Sequence, residues 1–186
     1  KKFKIIIDNI MSLNELSRYN KLVKLFKKKN VFVRTTNKSL KLKNHNYFFF
    51  PKVFNYHLTN TEKKKIYNLI KINIKLCGKL KINTFYISLK IINDYFFYRN
   101  FFKYIKSENI IMHQYYYSNI IKNILFKRNG GKISSLIQKN IYNFNTMNYF
   151  IHSDVMFNYS RKTKLNNRRT FSKVKKNKYV GSFFLE

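Results

Sequence analysis

The sequence predicts an α+β protein in which amphipathic helices lead into a mostly antiparallel sheet. Three observations carry this. Thr84 to Ile92 alternates with period 2, Ser12–Glu15 and Thr59–Glu62 have the spacing of helix-capping boxes, and Phe97 to Tyr117 is rich in aromatic and β-branched residues. Phe85, Ile87, Leu89 and Ile91 fall on one face of the predicted strand, with Leu89 inward, while Tyr86, Ser88, Lys90 and Ile92 fall on the other. Asn93 and Asp94 supply a turn, and Phe97 to Ile105 and Asn109 to Tyr117 complete an antiparallel meander, with a helical alternative for Phe96 to Tyr104.

Taken in order, Leu16, Tyr19, Val23 and Phe26 recur at helical spacing after the first capping box. Leu13 to Lys27 therefore reads as an amphipathic helix, which the Ile5 to Met11 run could extend backwards. Lys27, Lys28 and Lys29 close it, where cations suit the negative end of the dipole, and Val31, Val33 and Thr35 begin a short strand. Phe48, Pro51 and Phe54 form an aromatic connection. Ile66, Leu69, Ile70, Ile74 and Cys77 make an apolar stripe, so Asn60 to Cys77 is a helix with Gly78 at its C-cap. Ser118 to Phe126 suits a short helix, and Gly130–Gly131 is a turn, too short for a nucleotide-binding fingerprint although glycines also let backbone approach a ligand. Tyr179 to Leu185 is the last strand.

Charge decides the partner. Against 39 Lys and Arg stand 7 Asp and Glu, a formal +32 on 186 residues, which calls for a polyanion, with nucleic acid favoured over an anionic membrane because the charge is spread along the whole chain. Candidate phosphate contacts are Lys27, Lys28, Lys29, Arg34, Lys38, Lys127, Arg128 and Lys132. To these the basic stretch from Ser160 to Lys178 adds Arg161, Lys162, Lys164, Arg168 and Arg169, in an arm ordered by its partner. For Lys27 to Lys29 the competing reading is a solvated helix end. Some of the 15 Tyr and 19 Phe could stack on bases, but most are needed to fill a core in a chain without alanine.

No catalytic constellation is legible. The carboxylates are scattered, His45, His57, His113 and His152 lack ligand spacing, and the lone Cys77 excludes an intrachain disulfide, so neither enzyme activity, cofactor, metal nor small-molecule substrate is expected. Nor is a membrane span expected, since no run of about 18 uncharged apolar residues occurs, and Lys1 to Ile7 is too short and charged for a secretory signal. The Lys-, Asn-, Ile-, Phe- and Tyr-rich composition fits an AT-rich coding sequence, common in organelle genomes.

The order of elements resembles the family of small-subunit ribosomal protein eight. LSRYN at Leu16 to Asn20 is similar to that family's opening helix, NVFVRTTNKSLKL at Asn30 to Leu42 to its basic strand, and LIKINIKLCGKLKI at Leu69 to Ile82 to its second helix and turn. ISLKIIN at Ile87 to Asn93 resembles its leucine-lysine-tyrosine strand, with Ile91 in place of tyrosine, and NFFKYIKSEN at Asn100 to Asn109 resembles the segment after it. The family's serine loop falls on KISSLIQK, Lys132 to Lys139, or FIHSDVM, Phe150 to Met156, and YVGSFFLE resembles its closing strand. A rival alignment places Ser118 to Tyr142 on ribosomal protein seven.

The resemblance implies two small lobes, 1–92 and 93–186, the second mostly antiparallel β and carrying the rRNA-facing loop. It implies a mitochondrial, organelle-encoded ribosomal protein that binds the central domain of small-subunit rRNA beside neighbouring ribosomal proteins. It also adds Ser134, Ser135 and Ser153 as RNA contacts. The alternative is a basic accessory subunit of an organellar membrane complex.

Overall fold

Strands buried on both faces read as unbroken apolar runs, and KFKIIIDNI contains one from Ile5 to Ile7. In the computed structural model this segment is the central strand of a sheet. The structure describes residues 2–35, 37, 40, 46–49, 59–80, 85–113, 120–137, 152–159 and 173–181, with backbone alone for 46–49, 73, 76, 77, 79, 80, 85–90 and 113. Seven strands, β1 (Lys2–Ile10), β2 (Val31–Thr35), β3 (Asn46–Phe49), β4 (Lys106–His113), β5 (Ile133–Ile137), β6 (His152–Asn158) and β7 (Lys173–Tyr179), lie in the order β3-β2-β1-β4-β5-β6-β7. Every pairing is parallel.

Parallel neighbours require crossovers, and among the described residues helices supply those from β1 to β2, from β3 to β4 and from β4 to β5, on both faces of the sheet. Helices α1 (Leu13–Ser17) and α2 (Asn20–Phe26) cover one face, where Leu16, Tyr19 and Val23 pack with Ile5, Ile7, Val31, Val33 and Ile137. On the other face lie α4 (Phe85–Tyr104) and α5 (Ile120–Arg128), with Phe97, Phe101, Phe102, Leu125 and Phe126 against Ile6, Phe32, Ile110, Met112, Leu136 and Met156. Helix α3 (Asn60–Leu80) packs on α4. The architecture is a doubly wound α/β sheet, not an α+β fold with an antiparallel second half. It joins strands from both sides of residue 92.

The meander is the main correction. Phe85 to Tyr104 is one helix running through Asn93 and Asp94, so the strand at Thr84 to Ile92 and its turn do not form, and the helical alternative for Phe96 to Tyr104 is the one adopted. Phe85, Leu89 and Ile92 also stand at i, i+4 and i+7, so the alternation was compatible with both periods. Farther along, Phe97 stacks on Phe101 at 6.5 Å and Tyr98 on Phe102 at 6.2 Å between ring centroids, the i, i+4 contacts of a helix. The side chains of Leu89 and Lys90 lie outside the described residues.

The Thr59 capping box closes in both directions, and at Ser12 the hydroxyl caps the helix while Glu15 Oε2 accepts from Met11 N at 2.8 Å. Ser12 Oγ accepts from Glu15 N at 3.1 Å, while Thr59 Oγ1 accepts from Glu62 N at 3.3 Å and Thr59 N donates back to Glu62 Oε2 at 2.9 Å. Ile5 to Met11 does not extend the first helix, because Lys2–Ile10 is β1, and the predicted Leu13 to Lys27 helix is divided into α1 and α2. Helix α3 runs past Gly78, which has no left-handed φ, to Leu80. The strand expected from Tyr179 instead ends there, and Lys173 to Lys178, expected in a basic arm, form β7. Four lysines on this edge strand disfavour pairing with a further chain.

The two adjacent glycines close α5. Gly131 N donates to Phe126 O at 3.0 Å and Gly130 N to Lys127 O at 3.1 Å, with Gly130 at φ +89°, a Schellman ending. A Cβ on Gly131 would run into the buried Phe126 ring. Gly131→Ala should therefore cost roughly 1–3 kcal/mol through overpacking, and Gly130→Ala about 1 kcal/mol through its backbone, both read from denaturant midpoints. If Gly131→Ala is the milder of the two, Phe126 yields more readily than this packing allows.

Candidate nucleic-acid interface

In a doubly wound sheet the helices run back against the strands, so helix C-termini and strand N-termini meet at the same edge. Unsatisfied carbonyls there favour cations. The last turns of α2, α4 and α5 carry Lys24, Lys103, Lys127 and Arg128. Strand starts add Lys2, Lys4, Lys106, Lys132, Lys173 and Lys175, and Lys27, Lys28 and Lys29 lie just before β2. Among the described residues this amino edge therefore holds thirteen cations against the carboxylates of Glu108 and Asp154, a formal +11.

The two carboxylates are engaged within the band. Glu108 takes Lys4 Nζ at 3.0 Å and Lys132 Nζ at 3.6 Å, and the hydrogen bond from Lys4 is the main cause holding its carboxyl below the usual range. Burial would raise the Asp154 carboxyl, but Lys127, the backbone and hydroxyl of Ser134, and Lys175 at 3.0 Å together hold it well below that range. Both stay ionised at neutral pH. Even so, the side chains of Lys4, Lys132 and Lys175 remain 55%, 71% and 79% exposed, so their ion pairs leave the ammonium groups accessible to a larger anion.

The edge brings together six of the residues expected to contact RNA: Lys27, Lys28, Lys29, Lys127, Arg128 and Lys132. Four others are turned inward. Ser134 and Ser135 on β5 and Ser153 on β6 are buried, with Ser134 Oγ 3.1 Å from Asp154 Oδ2, and Arg34 on β2 is buried against Asp8. Lys38, Arg161, Lys162, Lys164, Arg168 and Arg169 lie outside the described residues. The sequence reading missed Lys2, Lys4, Lys106, Lys173 and Lys175 as members of one surface. Their strands are far apart in the chain, and only parallel pairing places the strand starts side by side.

A second charged cluster lies inside. Asp8 on β1 accepts from Arg34 Nε and, at 2.5 Å, from Lys122 Nζ of α5, all three residues being buried. The Tyr98 ring lies 5.8 Å from the guanidinium carbon and 5.5 Å from the ammonium, within cation–π range. Burial would raise the Asp8 carboxyl, but the two cations outweigh it and lower it from 3.8 to about 2. The same carboxylate holds the Arg34 guanidinium above its ordinary value against the opposing effect of burial.

Comparison with protein-family models, curated proteins and solved structures finds no match. Among the described residues no helix is long and apolar enough to cross a membrane, and no three His, Cys, Asp or Glu side chains are grouped to hold a metal ion.

Proposed function

We propose that this chain binds structured RNA through the amino edge of its sheet and acts architecturally in a ribonucleoprotein particle, without catalysing a reaction. The observation that carries this is the formal +11 at one edge, within a chain of formal charge +32. Such a surface gains affinity by neutralising phosphates and releasing counterions. The particle to test first is the small ribosomal subunit of a mitochondrion, which the sequence resemblance suggests. The proposal does not rest on that resemblance, since ISLKIIN, which anchored it as a strand, lies in a helix.

The test is RNA binding across a salt series with Lys28, Lys29, Lys106, Arg128 and Lys132 replaced by serine. The loss of five phosphate contacts should weaken binding at least about tenfold at moderate salt and flatten the log–log salt slope by roughly 3–5. Melting temperature should hardly move. Binding that is insensitive to salt, or unchanged in the five-serine protein, would overturn the assignment of this edge. Serine at Arg161, Lys162, Lys164, Arg168 and Arg169 separately measures what the basic arm adds.

Strand order favours a second reading. After β1 the chain passes to α1 on one face, while the next helix after β4 lies on the other, so the adjacent strands β1 and β4 form the switch point at which such sheets take small ligands at their carboxyl ends. A specific rise in melting temperature with a nucleotide, unaffected by the five amino-edge serines, would support it.

A further inference from the structure

Tyr104 is 63% exposed at the point where α4 passes into β4, the middle strand of the sheet. An exposed tyrosine is ordinary in itself. This one stands two helical turns beyond Phe97, on the same face of α4, and Phe97 is buried in the core. The face that α4 packs inward therefore emerges at the amino edge as an exposed aromatic ring. Its neighbours are cations. Lys103 in the last turn of α4 and Lys106 at the start of β4 are exposed, and Lys106 lies in register with the exposed Lys2 of β1. On the other flank of β4, the exposed Lys132 precedes β5. Of the other exposed tyrosines among the described residues, Tyr67 and Tyr95 lie within α3 and α4, and Tyr179 ends β7 at the carboxyl edge.

We propose that Tyr104 stacks on an unpaired base of the bound RNA, so that the partner is a duplex interrupted by an unstacked nucleotide and not a continuous one. This rests on the RNA reading of the amino edge. A nucleotide carries phosphate and base together, so a phosphate held by Lys103 or Lys106 brings a flat π-surface within reach of the ring. Bases inside an A-form helix have both faces covered by their neighbours, whereas a bulge or loop leaves a face open to an aromatic side chain. An apolar side chain from a protein partner would cover the ring only by also drawing Lys103 and Lys106 out of water, which is costly unless carboxylates accompany it. The lysines fix where the RNA lies, and the ring selects what lies there.

Two long blunt-ended RNA duplexes, one continuous and one carrying single-nucleotide bulges, test it when each is titrated with the full chain across a salt series. The parent should bind the bulged duplex more tightly. Tyr104→Ala should remove that preference, weakening binding to the bulged duplex by about 5- to 150-fold, the worth of one stacked base, while affinity for the continuous duplex and both salt slopes hardly change. Tyr104→Phe keeps the ring and should bind like the parent, whereas Tyr104→Leu keeps apolar bulk without a π-face and should bind like Tyr104→Ala. All three should melt with the parent, since the position is exposed. A parent indifferent to the bulges, a Tyr104→Ala protein that binds bulged RNA like its parent, or recovery by leucine overturns the proposal. Equal weakening on both duplexes also overturns it, because the ring then acts on something other than an unpaired base. If the five amino-edge serines abolish binding while Tyr104→Ala leaves it intact, the stacking alone fails. If neither duplex is bound in a salt-dependent way, the RNA reading fails with it.

Discussion

Asp8→Ala should destabilise this protein by roughly 3–5 kcal/mol, because removing the carboxylate strands two cations in a site that excludes water. Arg34 and Lys122 converge on opposite oxygens of Asp8, and all three are nearly inaccessible. Against a total stability of about 5–15 kcal/mol for a single domain, such a loss removes a large share. Urea unfolding followed by circular dichroism measures it. Raising salt should do little to restore the variant, since buried pairs are poorly screened. Replacing all three charges together with Leu and Met at similar volume should return stability to within about 2 kcal/mol of the parent, or exceed it. A single-variant loss under about 1 kcal/mol would mean that water reaches the cluster.

The same carboxylate sets an acid limit. Its folded-state value of about 2 lies below the ordinary 3.8, so Asp8 contributes stability fully above the unfolded value and loses it as pH falls through the folded one. A shift of this size corresponds to about 2 kcal/mol, lost between about pH 4 and pH 2. In the triple apolar variant this part of the acid transition should be absent. Persistence of the full transition there would assign it to other carboxylates, with Asp154 the first to test.

What was legible in the sequence was local. The Ser12 and Thr59 capping boxes were readable because a hydroxyl and a carboxylate three residues apart satisfy the same turn, and the β2 strand was readable because alternating branched residues follow a lysine run. Parallel pairing was not. Every partner of β1 lies more than twenty residues away, and the signal that β1 is central, three consecutive isoleucines buried on both faces, matches the interior of a helix just as well. The same limit hid the basic edge. Lys4 and Lys132 meet at Glu108 only because β1, β4 and β5 are neighbours, and no spacing within the chain encodes that.

Phe102→Ala should cost about 3–5 kcal/mol, and it tests the element that the sequence misassigned. Phe102 is fully buried on α4, with ring centroids 5.1 Å from Phe101, 5.5 Å from Phe126 and 6.2 Å from Tyr98, so it joins α4 to α5 above the sheet. Truncation leaves a cavity between two helices whose positions are held by the sheet below and by the Asp8–Lys122 pair, which limits collapse and keeps the cost near the upper end of that range. Tyr104→Ala, two residues on, is the control. In a helix those positions lie on different faces and Tyr104 is exposed, so its loss should stay within about 0.5 kcal/mol, whereas in a strand both would point the same way and share a cost. Similar losses at the two positions would restore the meander and remove α4 from the fold.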